Sequence, residues 1–300
     1  MKHWFKRGLA ALGIAALATG CSSAAETRPR AQAGPALWEV RDRDTTIYLF
    51  GTIHLLPQGY QWRTPRLDAA VAQSNGLVVE TIIDPRNPAE LIAAMTRLGL
   101  SPNQPPLLSR VPVDKRPALQ AAIARSGVPA AAFDRMETWA AAFTLIGTQF
   151  RSIGLNGDEG VETTLKQAFA SAGKPVGQLE TNAEQLGFFD QMPEEAQRAL
   201  LVASLDQPDQ VRVQFNDMLS AWTRGDVEAI ARTFNDDMAG SSALSEALLR
   251  RRNANWAGWI HQRMTQPGSV MVAVGAGHLA GNSSVQAMLE QRGLKVRRVQ

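Results

Sequence analysis

Two apolar stretches near opposite ends of the chain finish in the same way, with a glycine turn that leads to a histidine. The first runs through Tyr48-Leu49-Phe50 into Gly51-Thr52-Ile53-His54, and the second runs through residues 270–274 into Gly275-Ala276-Gly277-His278. Continuous runs of this kind are typical of strands buried on both faces of a sheet. The two histidines can meet only if both ends of the chain contribute strands to one sheet. The sequence therefore predicts such a sheet, with Gly51, Gly275 and Gly277 in the turns.

Two further apolar runs end on an acidic residue. Leu77-Val78-Val79 is followed by Glu80, and residues 175–179 are followed by Glu180. In an open α/β sheet, ligands bind beyond the carboxyl ends of the strands, where the following loops converge. We therefore expect four strand ends to bring His54, Glu80, Glu180 and His278 to one edge. Imidazole and carboxylate groups together suit a divalent metal ion or general acid–base chemistry on water.

The middle of the chain has a helical pattern, because apolar residues recur at spacings of three and four. Helices are predicted at residues 65–74, 88–98, 118–125, 131–150, 159–172, 193–205, 211–223, 226–235, 244–264 and 282–291, and strands at 36–41, 45–51, 77–82, 175–179, 269–274 and 295–299. The predicted fold class is α/β. It has a central mixed sheet built from strands at both ends of the chain, with a large helical insert in the middle.

The N-terminus has the pattern of a secretory signal peptide. Basic residues at positions 2, 6 and 7 precede an alanine-rich apolar run at 9–19, which is shorter than the roughly 20 residues that span a bilayer. Residues 1–20 are therefore interpreted as a cleaved signal peptide. Residues 21–36 are small, polar and proline-bearing, which predicts a flexible tether. The remaining residues, 37–300, are predicted to form a single α/β domain.

Cys21 is the only cysteine, so the chain can form no internal disulfide. It directly follows Ala18-Thr19-Gly20, which resembles a bacterial lipobox, and a lipobox implies cleavage and diacylation at the cysteine. Because Ser22 and not an aspartate follows, the pattern favours the outer membrane, facing the periplasm. The predicted partner is thus a membrane, reached through an N-terminal lipid anchor. The alternative is a secreted protein with an incidental cysteine.

The charge balance argues against a nucleic-acid partner. The chain has 31 basic and 28 acidic side chains, and residues 1–20 contain three of the basic ones and none of the acidic ones. Removal of the signal peptide would leave 31 − 3 = 28 basic side chains against 28 acidic ones. A formally neutral chain without a long basic tract lacks the electrostatic pattern of nucleic-acid binding.

Several short motifs occur in a consistent order from about residue 37 to the C-terminus. They are Gly51-Thr52-Ile53-His54, Glu80, Gly157-Asp158, Leu179-Glu180-Thr181 with Gln185, Ala221-Trp222 with Gly225-Asp226, Arg252-Asn253 and residues 274–279. Together these motifs resemble the TraB/GumN family, which includes the Tiki-type metalloproteases. This family resemblance implies a compact α/β fold whose active site contains the two Gly-x-x-His motifs and an acidic residue. In the Tiki-type relatives it implies peptide hydrolysis that depends on manganese or cobalt.

The favoured hypothesis is a metal-dependent, peptidase-like hydrolase of the cell envelope. His54 and His278 would bind a divalent metal, manganese, cobalt or zinc, together with Glu80 or Glu180, and Glu80 is the favoured carboxylate. The other glutamate would act as general base on the metal-bound water. Arg252, on a helix, would stabilise an oxyanion or hold a ligating carboxylate in place. The substrate would be a peptide or a small molecule.

Two alternatives remain open. In the first, a hydrolase with esterase-like chemistry uses a histidine to activate water directly, without a metal, and the glutamates orient the water. In the second, an envelope lipoprotein without catalytic activity uses the same histidines to hold a metal or haem. Glu180 and Arg252 also fit a buried structural ion pair, which would look the same in the sequence.

Overall fold

The computed structural model describes residues 34–83, 89–155, 159–238 and 242–300, and for 234–238 it describes the backbone alone. A six-stranded mixed sheet lies at its centre, with the order β4-β3-β5-β2-β1-β6. β2, β5, β3 and β4 run parallel, whereas β1 is antiparallel to both β2 and β6. The strands are β1 (Leu37–Arg41), β2 (Thr45–Thr52), β3 (Gly76–Val79), β4 (Val176–Gln178), β5 (Gly268–Gly275) and β6 (Val296–Arg298).

The predicted fold class is confirmed. Five of the six strands come from the two ends of the chain, and only the short β4 comes from the middle. Helices fill the long connections before and after β4. They are α1 (Pro65–Gln73), α2 (Ala89–Gly99), α3 (Arg116–Ser126), α4 (Ala130–Phe133), α5 (Thr138–Ser152), α6 (Val161–Ser171), α7 (Asn182–Asp190), α8 (Glu194–Ala203), α9 (Pro208–Thr223), α10 (Val227–Met238), α11 (Ser242–Ser245), α12 (Arg251–Arg263) and α13 (Val285–Gln291).

Both faces of the sheet are covered, as expected for parallel strands. Successive side chains of a strand point to opposite faces, so β2 serves two cores. Tyr48 and Phe50 pack into one core, which includes helices α1, α6 and α9. Ile47 and Leu49 pack into the other, which includes α12 and α13. This double burial explains why β2 has an almost uninterrupted apolar sequence.

The single helix predicted at 131–150 is wrong, because the structure breaks it into α4 and α5. Between them, the Asp134 carboxylate accepts a hydrogen bond from the Leu107 N–H at 2.7 Å. The buried Arg110 guanidinium donates to the carbonyl oxygens of Asp134 and Met136 at 3.2 and 2.6 Å. These contacts satisfy backbone groups that the break would otherwise leave unpaired. The apolar periodicity of the sequence continues through the break. It does not reveal that side chains will hydrogen-bond to the backbone there and interrupt the helix.

Helix α7 was not predicted, although the sequence contains a start signal for it. Thr181 caps the helix by accepting from the Glu184 N–H at 3.2 Å, and the Glu184 carboxylate accepts from the Thr181 N–H at 2.8 Å. This reciprocal arrangement is a capping box, which is readable as Thr-x-x-Glu. The helix lies directly after Glu180 and therefore helps to fix the end of β4.

Several predictions about the N-terminus fall on residues that the structure does not describe. These are the signal peptide at 1–20, lipidation of Cys21 and most of the tether at 21–36, and they stay predictions. Within the described ranges, none of the helices combines the length and the apolar character needed to cross a membrane.

Candidate functional site

The four parallel strands end at one edge of the sheet. Thr52 at the end of β2 is in register with Gly275 at the end of β5, and Val79 of β3 aligns with Ala273 of β5 and Gln178 of β4. The residues that follow these ends are His54, Glu80, Glu180 and His278. The structure therefore places all four at one edge, as the strand ends predicted, although the chemical role of each stays a prediction.

Arg252 is the centre of the buried part of this edge. Its guanidinium donates to Glu180 through Nε at 3.0 Å and Nη2 at 2.9 Å, and Nη2 also donates to Glu80 at 2.6 Å. All three side chains are less than a tenth exposed. Arg252 follows a wide helical turn, Glu246–Arg250, immediately before α12. Such turns recur at functional sites because they change the direction of the next side chain.

Glu180 is fully engaged by its neighbours. Besides the two bonds from Arg252, its carboxylate accepts the indole N–H of Trp256 at 3.0 Å. Burial raises the pKa of Glu180, although Arg252 opposes this shift. The geometry matches the buried ion pair considered from the sequence, and it leaves Glu180 little capacity to bind a metal or take a proton from water.

Glu80 sits between the buried network and the open part of the edge. One oxygen, Oε1, accepts the Gly275 N–H at 2.6 Å, and the other, Oε2, accepts from Arg252 and from Gln185 at 3.3 Å. Burial disfavours the charged carboxylate, but attraction from Arg252 and the hydrogen bond from the Gly275 N–H outweigh burial and lower the pKa of Glu80 below its usual range. Glu80 is therefore an anion at neutral pH.

His278 is held at both ring nitrogens. Nε2 lies 3.1 Å from Nη1 of Arg252, and Nδ1 lies 2.6 Å from Oδ1 of Asn253. A guanidinium can only donate, so Nε2 must accept and Nδ1 must carry the hydrogen. Burial lowers the pKa of His278 to about 3, so the ring is neutral at physiological pH. Arg252 is then the cation that keeps Glu80 ionised.

His54 has a different environment, because a carboxylate orients it and solvent reaches it. Its Nδ1 lies 2.6 Å from Oε1 of Glu162, and the side chain of His54 is 64% exposed whereas that of Glu162 is 15% exposed. Thr52 donates its hydroxyl to the same Glu162 oxygen. Attraction from Glu162 raises the pKa of His54 to about 9. The arrangement leaves Nε2 of His54 facing the edge.

Glu162 is the site residue that the sequence analysis missed. It lies in the first turn of α6, where an acidic residue is ordinary because it complements the helix dipole. No strand end or motif marks it in the sequence. The structure brings it to His54 because the Val161 N–H donates to the Ile53 carbonyl at 3.1 Å, which fixes the start of α6 against the loop after β2.

Gly275 gives the site its open space. A Cβ atom at this position would lie 3.2 Å from Oε1 of Glu80, 3.5 Å from Nε2 of His54 and 3.7 Å from Cδ2 of His278. Its φ of −50° is one that any residue adopts, so the need for glycine here is one of space and not of backbone conformation. Glu80 and the two histidines thus border one small volume in front of Gly275.

Gly51 lies within β2 and not in the turn predicted for it, whereas Gly277 lies in the turn after β5. A Cβ at Gly51 would lie 3.1 Å from the Ala276 backbone, so this glycine lets β2 approach the turn after β5 closely. Gly277 lies buried in the 3₁₀ turn Ala276–Leu279, which carries His278. The paired Gly-x-x-His motifs therefore pack against each other through their glycines.

A cavity of about 450 Å³ opens beside these residues. His54, Glu80, Glu162 and Gln185 provide polar lining, Lys166 a cation, and Leu55, Val79 and Ile83 an apolar wall. A larger cavity of about 570 Å³ lies between α3 and the segment around Leu107, away from every strand end. A ligand must contact the catalytic groups, and of these two cavities the smaller one is lined by His54 and Glu80. The smaller cavity is therefore the candidate active site.

The predicted metal ligands do not fit a divalent ion as they are placed. Nε2 of His278 accepts from Arg252, both oxygens of Glu80 already accept hydrogen bonds, and only Nε2 of His54 is open. Catalytic metal sites usually have three protein ligands. Across the described ranges, no group of three or more His, Cys, Asp or Glu side chains forms such a set. Binding of manganese, cobalt, zinc or haem therefore stays a prediction.

Comparisons with known proteins agree with the family resemblance of the sequence motifs. A model of the family described as the TraB/PrgY/gumN family matches residues 36–298. Uncharacterized protein YbaP of Escherichia coli (strain K12) is 26% identical over 243 residues, which cover 81% of this chain and 87% of that protein. Uncharacterized protein YbaP of Shigella flexneri is also 26% identical, over 242 residues and the same shares of the two chains. No solved structure matches the chain.

Proposed function

The chain belongs to the TraB/PrgY/gumN family, and on that premise we propose that it is a hydrolase of peptides or related amides and esters. The hydrolase activates water directly with His54 and Glu162. The observation that carries this proposal is the open Nε2 of His54, which faces the volume in front of Gly275 while Glu162 holds Nδ1 at 2.6 Å. A histidine oriented by a carboxylate is the usual form of a general base.

The proposed reaction uses the residues at the mouth of the cavity. Neutral His54 accepts a proton at Nε2 from a water that is also hydrogen-bonded to Oε1 of Glu80, and the water oxygen attacks the substrate carbonyl carbon. Glu162 stabilises the resulting imidazolium. Protonated His54 then donates to the leaving amine or alcohol as the bond from the carbonyl carbon to that group breaks. The products are a carboxylic acid and the protonated leaving group.

The buried residues have a positioning role in this proposal. The N–H groups of Arg252 are hydrogen-bonded to Glu80, Glu180 and His278. Arg252 therefore holds the two carboxylates in place and is not free to bind an oxyanion. His278 in turn keeps the guanidinium oriented from the other side. This network fixes Glu80 with its Oε1 toward His54, which is the arrangement that the attacking water needs.

We propose that the enzyme works in the cell envelope, attached to the outer membrane through lipid on Cys21 and facing the periplasm. This part of the proposal rests on the sequence pattern of residues 1–36 alone. It implies that the substrate is an envelope peptide or a small molecule that enters the periplasm.

Turnover is expected to survive exhaustive chelation, because water activation by His54 needs no metal. The measurement is hydrolysis of fluorogenic peptides and p-nitrophenyl esters by the full-length protein, before and after chelator treatment, with metal content followed by mass spectrometry. Loss of turnover on chelation, with recovery on addition of manganese, cobalt or zinc, would overturn this mechanism in favour of a metal-dependent one.

Replacing Gly275 with alanine is expected to lower turnover by roughly tenfold to a hundredfold while leaving the melting temperature close to that of the wild type. The new methyl group would occupy the volume between Glu80 and His54, but the backbone conformation suits alanine. The control is Gly258→Ala on α12, where an added Cβ meets no atom within 4 Å. Equal turnover in the Gly275→Ala variant and the wild type would show that water is activated elsewhere.

A further inference from the structure

Lys166 is the cation on the wall of the active-site cavity, and the mechanism above does not use it. It lies in α6 and lines the cavity with His54, Glu80 and Glu162. Its side chain is partly buried. Across the ranges that the structure describes, no carboxylate forms an ion pair with Lys166. Within the described ranges the ammonium therefore has no carboxylate partner, and it can bind a negative group inside the cavity.

Among the described residues, Lys166 has no ion-pair partner because the acidic residue in the preceding turn of α6 has other contacts. Glu162 lies four residues before Lys166 on the same helix, and a Glu–Lys pair at this spacing normally forms an ion pair. Here Glu162 points instead to His54 and Thr52, which take the carboxylate oxygen Oε1. The other acid in the cavity, Glu80, is bound by Arg252 and by the Gly275 N–H. Glu80 and Oε1 of Glu162 are thus committed, and within the described part of the chain the charge of Lys166 is left for a ligand.

We propose that Lys166 binds a free carboxylate of the substrate, and that the enzyme therefore cleaves short peptides close to their C-terminal end. This inference rests on the proposed hydrolase function and names its substrate class. Lys166 is a specificity residue in this scheme, since it contacts the substrate but takes no part in proton transfer.

The spacing along α6 sets where the carboxylate lies relative to the bond that breaks. Four residues of an α-helix rise by about 6 Å, which separates Lys166 from the residue that holds the general base. One residue of extended peptide spans about 3.3–3.6 Å. Lys166 therefore lies one helical turn beyond the residue that orients the base, and the bound carboxylate is expected on one of the few residues that follow the scissile amide.

The rest of the cavity suits a short peptide end. Leu55, Val79 and Ile83 line it with apolar side chains, and Ile83 is 45% exposed. A volume of about 450 Å³ is within the range of small-molecule sites. Small apolar side chains on the peptide would contact this wall while the carboxylate reaches Lys166.

The test compares N-acetyl-dialanine with its C-terminal amide as ligands of the full-length protein, by isothermal titration calorimetry. The wild type is expected to bind the free carboxylate roughly tenfold more tightly than the amide, because a charge-assisted hydrogen bond is lost in the amide. Lys166→Met should abolish this preference, whereas Lys166→Arg should retain it. If the wild type cleaves the peptide, kcat/KM for the two forms gives the same comparison.

The matched control is Lys295→Met, which removes one lysine charge at an exposed position next to β6. β6 runs in the same direction as β2, so its start lies at the opposite edge of the sheet from the cavity. This variant should keep the preference. Equal binding of the two probes by the wild type, no binding of either, or a preference that persists in Lys166→Met would each overturn the inference.

The same experiment separates this inference from the hydrolase proposal. Carboxylate preference that depends on Lys166, without cleavage of any peptide or ester, would support the subsite and contradict hydrolysis. Cleavage that treats the acid and the amide alike would support hydrolysis and contradict the subsite. A melting temperature for Lys166→Met near that of the wild type shows that the comparison is made on folded protein.

Discussion

Replacing His54 with glutamine is expected to lower turnover by roughly 10²- to 10⁴-fold, which is the contribution of a positioned general base. Glutamine keeps a polar group next to Glu162 but cannot accept a proton from water. Stability should change little, since the His54 side chain is 64% exposed and therefore contributes little packing. The measurement is kcat/KM for the best substrate of the wild type, together with the melting temperature.

The matched control for this substitution is His261→Gln, which changes an exposed histidine on α12. It should leave both turnover and stability unchanged. A His54→Gln variant that retained turnover within a few-fold of the wild type would exclude His54 as the base. In that case the water would have to be activated by another group in the cavity.

The pH dependence gives an independent view of the same residue. Glu162 raises the pKa of His54 to about 9, and only the neutral ring accepts a proton. Turnover should therefore increase as the pH rises and level off only above about 9. In Glu162→Gln the attraction is gone, so the rising limb should move to lower pH while the maximal rate falls. An unchanged limb in this variant would show that another group controls the profile.

Replacing Arg252 with methionine is expected to lower the free energy of unfolding by about 3–5 kcal/mol. The substitution removes the cation that neutralises Glu80 and Glu180, and it leaves two buried carboxylates without a counter-charge. It also leaves the Nε2 lone pair of His278 without its donor. The measurement is the midpoint and slope of urea unfolding, followed by circular dichroism, at neutral pH.

The neighbouring residue provides the control for this experiment, because Arg251 is exposed at the start of the same helix. Arg251→Met should change the free energy of unfolding by no more than about 0.5 kcal/mol. A triple variant, Arg252→Met with Glu80→Gln and Glu180→Gln, should recover part of the lost stability, since it buries no uncompensated charge. Equal stability of Arg252→Met and Arg251→Met would mean that the buried network contributes little to folding.

The part of the site that could be predicted from the sequence is the part that strands carry. His54, Glu80, Glu180 and His278 each follow an apolar run, and parallel strands align their carboxyl ends at one edge. That rule needs no knowledge of the long connections, so residues more than 200 positions apart could be assigned to one place. The same reasoning predicted the sheet and its two-ended origin.

What could not be predicted depends on contacts that leave no pattern in the chain. Glu162 resembles any acidic residue at a helix start, and its function depends on where α6 docks against the loop after β2. The roles of Glu180 and His278 also depend on Arg252, which takes the very atoms that a metal would need. Residue type and spacing show which atoms could bind a ligand. They do not show which of these atoms are already hydrogen-bonded to a neighbouring residue.

The position of β5 determines when this protein can complete its fold. β5 lies between β2 and β3 in the sheet, yet it begins about 190 residues after the end of β3 in the chain and is therefore synthesised much later. Its pairings have a large sequence separation, which is typical of chains that fold slowly. Until β5 is made, β2 and β3 lack the strand that hydrogen-bonds to both of them, and Glu80 lacks the Gly275 N–H. A nascent chain therefore carries no assembled active site until Gly275 and His278, which lie at and just after the end of β5, have been made.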